Sequence, residues 1–137
     1  MIQTARGTVH EWQRDHMGHI NVRAYMEFFD AASWQVYAAL GLPPSLLRSG
    51  ALSLAAVQQN ISYTKELYPG DTVEVASEVL ELREKVLRFR HELRNSETQD
   101  VCAICEFTVV CLDPQTRKSR PFPPQVAAKA AALKAPA

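Results

Sequence analysis

The sequence predicts an α+β domain in which a curved antiparallel sheet of about five strands wraps one long central helix. Three observations carry this prediction. One segment, Val22–Leu40, repeats apolar residues at helical spacing beside a narrow polar stripe. Four later segments are rich in Val, Ile, Thr, Tyr and Phe and are divided by short turn-like stretches. The chain has 137 residues, enough for one domain with a real core, and shows no internal repeat or linker. A single domain over 1–137 follows, with a tail from about residue 123 that reads as loosely attached.

Gly7–Gln13 is short and mixed, and reads as a first strand. Asp15–Asn21 is a loop. Asn21 suits a helix N-cap, because its side-chain oxygen can accept from an amide one turn in. Val22, Tyr25, Met26, Phe29, Ala32, Ser33, Val36 and Leu40 then recur at helical spacing. Gly41 fits the position after the helix, and Pro43-Pro44 forbid its continuation. Arg23, Glu27 and Asp30 share one stripe. Nearly everything else except Gln35 is apolar, aromatic or small. A helix apolar around most of its circumference is buried on most sides, so something must wrap it.

Leu52–Lys65, Asp71–Arg83, Val86–Arg94 and Val101–Leu112 read as the strands that do so. Tyr68-Pro69-Gly70-Asp71, Glu84-Lys85, Asn95–Asp100 and Asp113-Pro114 separate or end them. Long sequential strands with short connections imply an antiparallel, meander-like sheet. In Asp71–Leu82, alternation puts Val73, Val75, Ser77, Val79 and Glu81 on one mainly apolar face. Val101–Leu112 is apolar on both faces apart from Glu106 and Thr108. Such a strand is central, or its outer face meets another subunit. One helix covers one side of a sheet, so a homo-oligomer is expected. The tail from Pro123 to Ala137 is Pro then Ala/Lys-rich and suits a short, fraying helix.

The 15 basic and 15 acidic side chains cancel, which argues against a general nucleic-acid binder. No apolar run approaches the roughly 18 residues a membrane span needs. Met1–Trp12 has no signal-type apolar run. A cytoplasmic protein with no nucleic-acid or membrane partner is expected. Three cysteines are an odd number, which argues against a disulfide framework. Cys102 and Cys105 fall on a strand, on opposite faces by their spacing, and read as small buried apolar residues.

The chemistry concentrates in Asp15-His16-Met17-Gly18-His19-Ile20-Asn21. A carboxylate beside a helix N-terminus can act as general base or nucleophile. The free amides at the start of the helix point toward the same loop and carry partial positive charge. One of them, aimed at a carbonyl oxygen, stabilises a developing oxyanion. That is the minimum equipment for acyl transfer to water. A thioester suits it, since a thiolate leaves without a strong acid. The competing reading of Asp15 is a loop carboxylate that caps a turn. His16 and His19 lack the third ligand that a metal site needs, so no metal is expected. His19 either orients Asp15 or contacts substrate. Asp30 faces solvent unless an oligomer covers its stripe, in which case it is a second acid near the site.

These residues, with Tyr25, Phe28-Phe29-Asp30-Ala31-Ala32 and Leu40-Gly41-Leu42-Pro43-Pro44, resemble the hot-dog-fold acyl-CoA thioesterases of the 4-hydroxybenzoyl-CoA thioesterase type. Asn60-Ile61-Ser62-Tyr63, Tyr68-Pro69-Gly70-Asp71 and Lys85-Val86-Leu87-Arg88-Phe89 also fit that pattern. The similarity covers about residues 8–122. It implies the hot-dog fold, Asp15 as nucleophile or base, and the amide near Val22 as the group that polarises the carbonyl. By their place beside Asp15 and at the helix end, His19 and Asn21 are candidate helpers in catalysis. Gly18, Tyr25, Asp30 and Asn60 are implied as substrate contacts. Arg83 and Lys85 are implied as contacts to the nucleotide of coenzyme A. Glu84 interrupts this basic segment, so Arg88, Arg117 or Lys118 are candidates to share the phosphates. The resemblance further implies sites between two subunits of a homodimer that pairs into a homotetramer. It implies coenzyme A as part of the substrate and no separate cofactor.

Departures from the pattern bear on the substrate. His19 and Asn21 stand where the aromatic-acyl members carry apolar or aromatic residues, so the namesake substrate is not carried over. Phe28, Phe29, Trp34 and Tyr37 read as helix core ahead of acyl-pocket walls. Two rivals use the same fold: a non-catalytic acyl-CoA or acyl-carrier module, and an enoyl-CoA hydratase. The hydratase pattern has a His five residues after its Asp, where this chain has Ile20.

Overall fold

The computed structural model describes residues 1–136. The elements run β1 (Ile2–Thr8), α1 (Val22–Ala39), α2 (Pro44–Arg48), β2 (Ser53–Tyr63), β3 (Thr72–Leu82), β4 (Val86–Asn95), β5 (Val101–Leu112) and α3 (Val126–Leu133). The strands form one antiparallel sheet in the order β1-β3-β4-β5-β2. Helix α1 lies against one face of this sheet, packing on β1, β3 and β4. This is the hot-dog architecture.

The core is the layer between α1 and the inner face of the sheet. Tyr25, Phe29, Ala32 and Val36 of α1 meet Val75 and Val79 of β3, Phe89 and Leu93 of β4, and Cys105 and Val109 of β5. A single buried side chain of Leu or Phe size contributes about 1.5–3 kcal/mol relative to exposure, so this layer dominates stability. Four strands and the helix sit where periodicity puts them, to within two residues. Asn21 caps α1, with Oδ1 accepting from the Ala24 amide at 3.0 Å. Gly41 follows the helix at φ 84°, a conformation that favours glycine.

The structure corrects the sequence reading of the first strand, the sheet order, Glu81 and the tail. The first strand is Ile2–Thr8, not Gly7–Gln13. Glu11–Gln13 instead forms a single tight turn, held where the Gln13 side chain accepts from the His10 amide at 2.8 Å. The sheet is a meander only from β3 to β5. Strand β2 crosses to the far edge and pairs with β5, and β1 takes the other edge beside β3. Glu81 does not share the inner face of β3. A β-bulge between Val79 and Glu81 turns it outward, opposite Arg88. Pro43-Pro44 do follow the end of α1, as read, and Pro44 also opens the short α2.

The tail is docked rather than loose. Val126 and Ala130 are buried, and the Ala135 amide donates to the Val79 carbonyl at 2.8 Å. Ala137, the last residue of that expectation, lies outside the described residues. β5 is an interior strand: Ala103, Cys105, Phe107, Val109 and Cys111 are buried on its inner face, and its outer face is half-covered. All three cysteines are buried and free. Among the described residues, no helix is long and apolar enough to cross a membrane.

One buried polar chain crosses the core. The Thr4 and Ser77 hydroxyls are 2.7 Å apart, Ser77 Oγ is 2.6 Å from His91 Nδ1, and His91 Nε2 is 2.9 Å from Ser33 Oγ. The Ser33 hydroxyl donates to the Phe29 carbonyl. These contacts satisfy groups that would otherwise cost about 1–3 kcal/mol each when buried. His91 also stacks parallel to Phe29, at 5.9 Å between ring centres. Burial pushes the His91 imidazole down to about 3, so it is neutral in the core.

Candidate active site

The loop Asp15–Asn21 is closed by its own hydrogen bonds. The Asp15 amide donates to the His19 carbonyl at 2.9 Å, and the Gly18 amide to the Asp15 carbonyl at 3.1 Å. Gly18 sits at φ 88°, where a side chain would be strained. Asp15 Oδ1 accepts from the Met17 amide at 2.8 Å, which fixes the carboxylate. Its other oxygen, Oδ2, faces His19 Nδ1 at 3.7 Å. So Asp15 does cap a turn, but with one oxygen only.

The start of α1 leaves donors free. Asn21 engages the Ala24 amide. Among the described residues, the Val22 and Arg23 amides have no intramolecular acceptor. Both are first-turn amides at the positive end of the helix dipole. Val22 itself is 64% exposed, so its side chain is not part of the helix core, as its spacing had suggested.

Asp15, His19, Val22 and Tyr25 line one open cavity of about 660 Å³, with Tyr63, Thr64, Lys65, Glu66 and Tyr68 as the opposite wall. Burial, reinforced by Cys102, Tyr63, Glu66 and Asp15, pushes the Tyr25 phenol up to about 12. Its hydroxyl therefore stays protonated and able to donate. Tyr25 meets Tyr63 edge to face at 4.9 Å between centres. The cavity walls thus combine a carboxylate, one residue with a free helix-end amide (Val22) and an aromatic wall, which is the equipment for polarising and attacking a carbonyl.

Sequence reasoning missed the wall from Tyr63 to Tyr68, Glu66 above all. Glu66 Oε1 lies 3.7 Å from His19 Nε2, and Oε2 accepts from the Tyr68 hydroxyl at 2.6 Å. What brings this segment to the loop is a backbone bond, Ile20 amide to Leu67 carbonyl at 2.8 Å. Buried Ile20 and Leu67, flanking a loop and a turn, were the available signal.

The other predicted contacts lie elsewhere in this chain. Asn60 is paired with Glu106, on the outer face of the sheet, opposite to the side taken by Ile61 and Tyr63. Arg83 and Lys85 form the β3–β4 turn, at the far end of an 11-residue strand from the Asp15 loop, roughly 30 Å away. Arg83 is bonded to Glu81 at 2.6 Å, and Arg88 lies between Glu81 and Glu106. Arg117 and Lys118 belong to the loop after β5, at that same end.

Asp30 lines a second cavity of about 590 Å³, between α1 and the N-terminal half of β2. Ser33, Trp34, Tyr37, Leu54 and Phe107 line it too. Phe29 is core and Phe28 and Tyr37 pack against it, as read, whereas Trp34 is exposed; Trp34 and Tyr37 also line this cavity. Among the described residues, no three His, Cys, Asp or Glu side chains gather in a metal-binding arrangement.

Comparison with known proteins agrees with this fold. A family model described as the thioesterase-like superfamily matches residues 9–130. No curated protein sequence matches the chain. Among solved structures, a hypothetical protein from Staphylococcus aureus in complex with CoA superposes at a TM-score of 0.87 and 20% identity, over 100% of this chain and 90% of that one. A 1,4-dihydroxy-2-naphthoyl-CoA thioesterase from Synechocystis does so at 0.83 and 18%, over 96% and 97%. The probable thioesterase YbaW from Escherichia coli does so at 0.79 and 20%, over 98% and 100%.

Proposed function

The chain belongs to the thioesterase-like superfamily, and from that premise we propose that it hydrolyses the thioester of an acyl-CoA to free acid and CoA. One observation carries the reading: Asp15 and Val22 line the same cavity, and each keeps a group, a carboxylate oxygen and a backbone amide, that makes no hydrogen bond among the described residues. The Val22 amide donates to the carbonyl oxygen, and Asp15 attacks the carbonyl carbon or takes a proton from the water that does. Donors of this kind are worth about 3–4 kcal/mol to the transition state. His19 and Asn21 serve the step indirectly, one beside Asp15 and one by aiming the helix end. The neighbour solved with CoA supports coenzyme A as the leaving group.

The reading includes a homodimer formed along β2. This strand is an 11-residue sheet edge, with Val57 60% and Tyr63 46% exposed. Long open edges of this kind invite pairing with another strand. The Asp15 cavity sits at the C-terminal end of β2 and the Asp30 cavity at its N-terminal end. Antiparallel pairing with a second copy sets one subunit's Asp15 cavity beside its partner's Asp30 cavity. The partner's β3–β4 turn, which carries Arg83 and Lys85, reaches the same end, where the Cys111 amide donates to the Lys85 carbonyl. Asp30 and the basic turn are then contacts supplied across the interface. The three buried free thiols suit a reducing cytoplasm.

A thiol-release screen over aliphatic, branched and aromatic acyl-CoAs tests the reading. Release from at least one class is expected. Saturable acyl-CoA binding without release in every class overturns it in favour of a binding module.

A further inference from the structure

The Ile20 amide donates to the Leu67 carbonyl at 2.8 Å, and both side chains are buried, at 2% and 0% exposure. The preceding residues, His19 and Glu66, are thereby held face to face in the cavity wall. His19 Nδ1 stands 3.7 Å from Asp15 Oδ2, and His19 Nε2 stands 3.7 Å from Glu66 Oε1. Each carboxylate has its second oxygen committed to a local donor. For Asp15 that donor is the Met17 amide, and for Glu66 it is the Tyr68 hydroxyl. One oxygen of each carboxylate therefore lies beside the same imidazole, while the ring itself is held by its Nδ1 donating to the Ile20 carbonyl at 3.2 Å. The nearest cation to Glu66 in sequence, Lys65, is engaged by Asp100 at 3.0 Å.

We propose that Glu66 is a positioning residue for thioester hydrolysis, acting through His19 to hold the free oxygen of Asp15 toward the reacting carbonyl. The proposal rests on the acyl-CoA thioesterase reading. Glu66 touches no reacting atom. It fixes the plane of the His19 ring, Tyr68 steadies Glu66, and the ring fixes Asp15. A carboxylate that orients an imidazole, which in turn orients a reacting group, is a general device in hydrolytic sites.

Glu66→Gln keeps the shape of the side chain and an acceptor for Tyr68, and removes the charge. It is expected to lower kcat about tenfold, the scale of a small misplacement at a reacting centre, with KM changed less than about twofold. His19→Gln is expected to lose a similar factor. The double variant is expected to be no worse than His19→Gln alone, because Glu66 then has nothing to act through. A second measurement needs no turnover. The ring nitrogen resonances of His19 in the full chain should move in Glu66→Gln, while those of exposed His16 stay in place.

Unchanged kcat together with unmoved His19 resonances overturns the proposal. So does a Glu66→Gln loss that persists in full in the His19→Gln background, which assigns Glu66 to the substrate instead. A wild-type protein that releases no thiol overturns the hydrolysis reading and, with it, the catalytic role. Unmoved His19 resonances in a protein that does hydrolyse overturn the Glu66 role alone.

Discussion

The backbone amide of Ile20 and the carbonyl of Leu67 meet at 2.8 Å, and this bond joins the two walls of the candidate active site. The loop with Asp15 lies on one side and the turn with Glu66 on the other. Leu67 is fully buried, so its side chain anchors the turn that offers the carbonyl. Leu67→Ala is expected to cost about 2–5 kcal/mol, the range for removing a buried Leu side chain. Urea unfolding at neutral pH checks this. A loss below about 1 kcal/mol contradicts the anchoring role.

Asp15→Asn separates chemistry from structure. Asn keeps an oxygen for the Met17 amide, so the turn survives. It lacks the charge needed to attack or to take a proton. Thiol release should fall at least about a hundredfold, the lower end for losing a general base, with an unchanged circular dichroism spectrum. A variant that turns over like the wild type removes Asp15 from the mechanism.

Val57→Lys probes the β2 edge. Val57 is 60% exposed and sits at the irregularity between Ala56 and Gln58, in the middle of the strand. A lysine there places like charges close together across a two-fold pairing and blunts the edge. The wild-type protein should run as a dimer or larger in light scattering, and the variant should approach the 15.3 kDa of one chain. Activity should fall with it, although Asp15 is untouched. A wild-type monomer that hydrolyses acyl-CoA refutes the shared site.

His91 predicts acid sensitivity. Burial holds its folded value down to about 3, against 6.5 for the free side chain. The unfolded chain therefore binds the extra proton first as pH falls. Stability is intact above about 6.5 and is lost progressively from there toward 3. The slope contributed by one such group approaches about 1.4 kcal/mol per pH unit. Denaturant titrations at pH 7.5, 6 and 5 check the sign. Removing the imidazole in His91→Phe should flatten the dependence, although it takes one partner each from the Ser33 and Ser77 hydroxyls and lowers stability at every pH.

The fold was legible where side-chain period decides structure. The α1 stripe, the Asn21 cap, the Gly41 stop and the β3 inner face all follow from residue types at fixed spacing. The choice of strand partner was not. Nothing in the alternation of β2 says that it pairs with β5 instead of β3. The outward turn of Glu81 was hidden as well, because a bulge is a backbone event and alternation assumes none. In the site, Asp15 and the helix end were legible because they share one short motif. Glu66 was not, because a backbone bond delivers it, and a backbone bond leaves no mark in residue type. The basic turn at Arg83 and Lys85 matched the pattern of the family, yet one chain cannot bring it to Asp15.

The strand order also dictates a sequence of events. Ile2 pairs with Ser77, and Ser53 pairs with Leu112, so both edge strands wait for partners made much later in the chain. Only β3, β4 and β5 find neighbours next to them in sequence. Closing long loops carries an entropy cost before any contact repays it. The topology therefore predicts a sheet that assembles from its middle outward, with β2 gaining its partner only once β5 has been made.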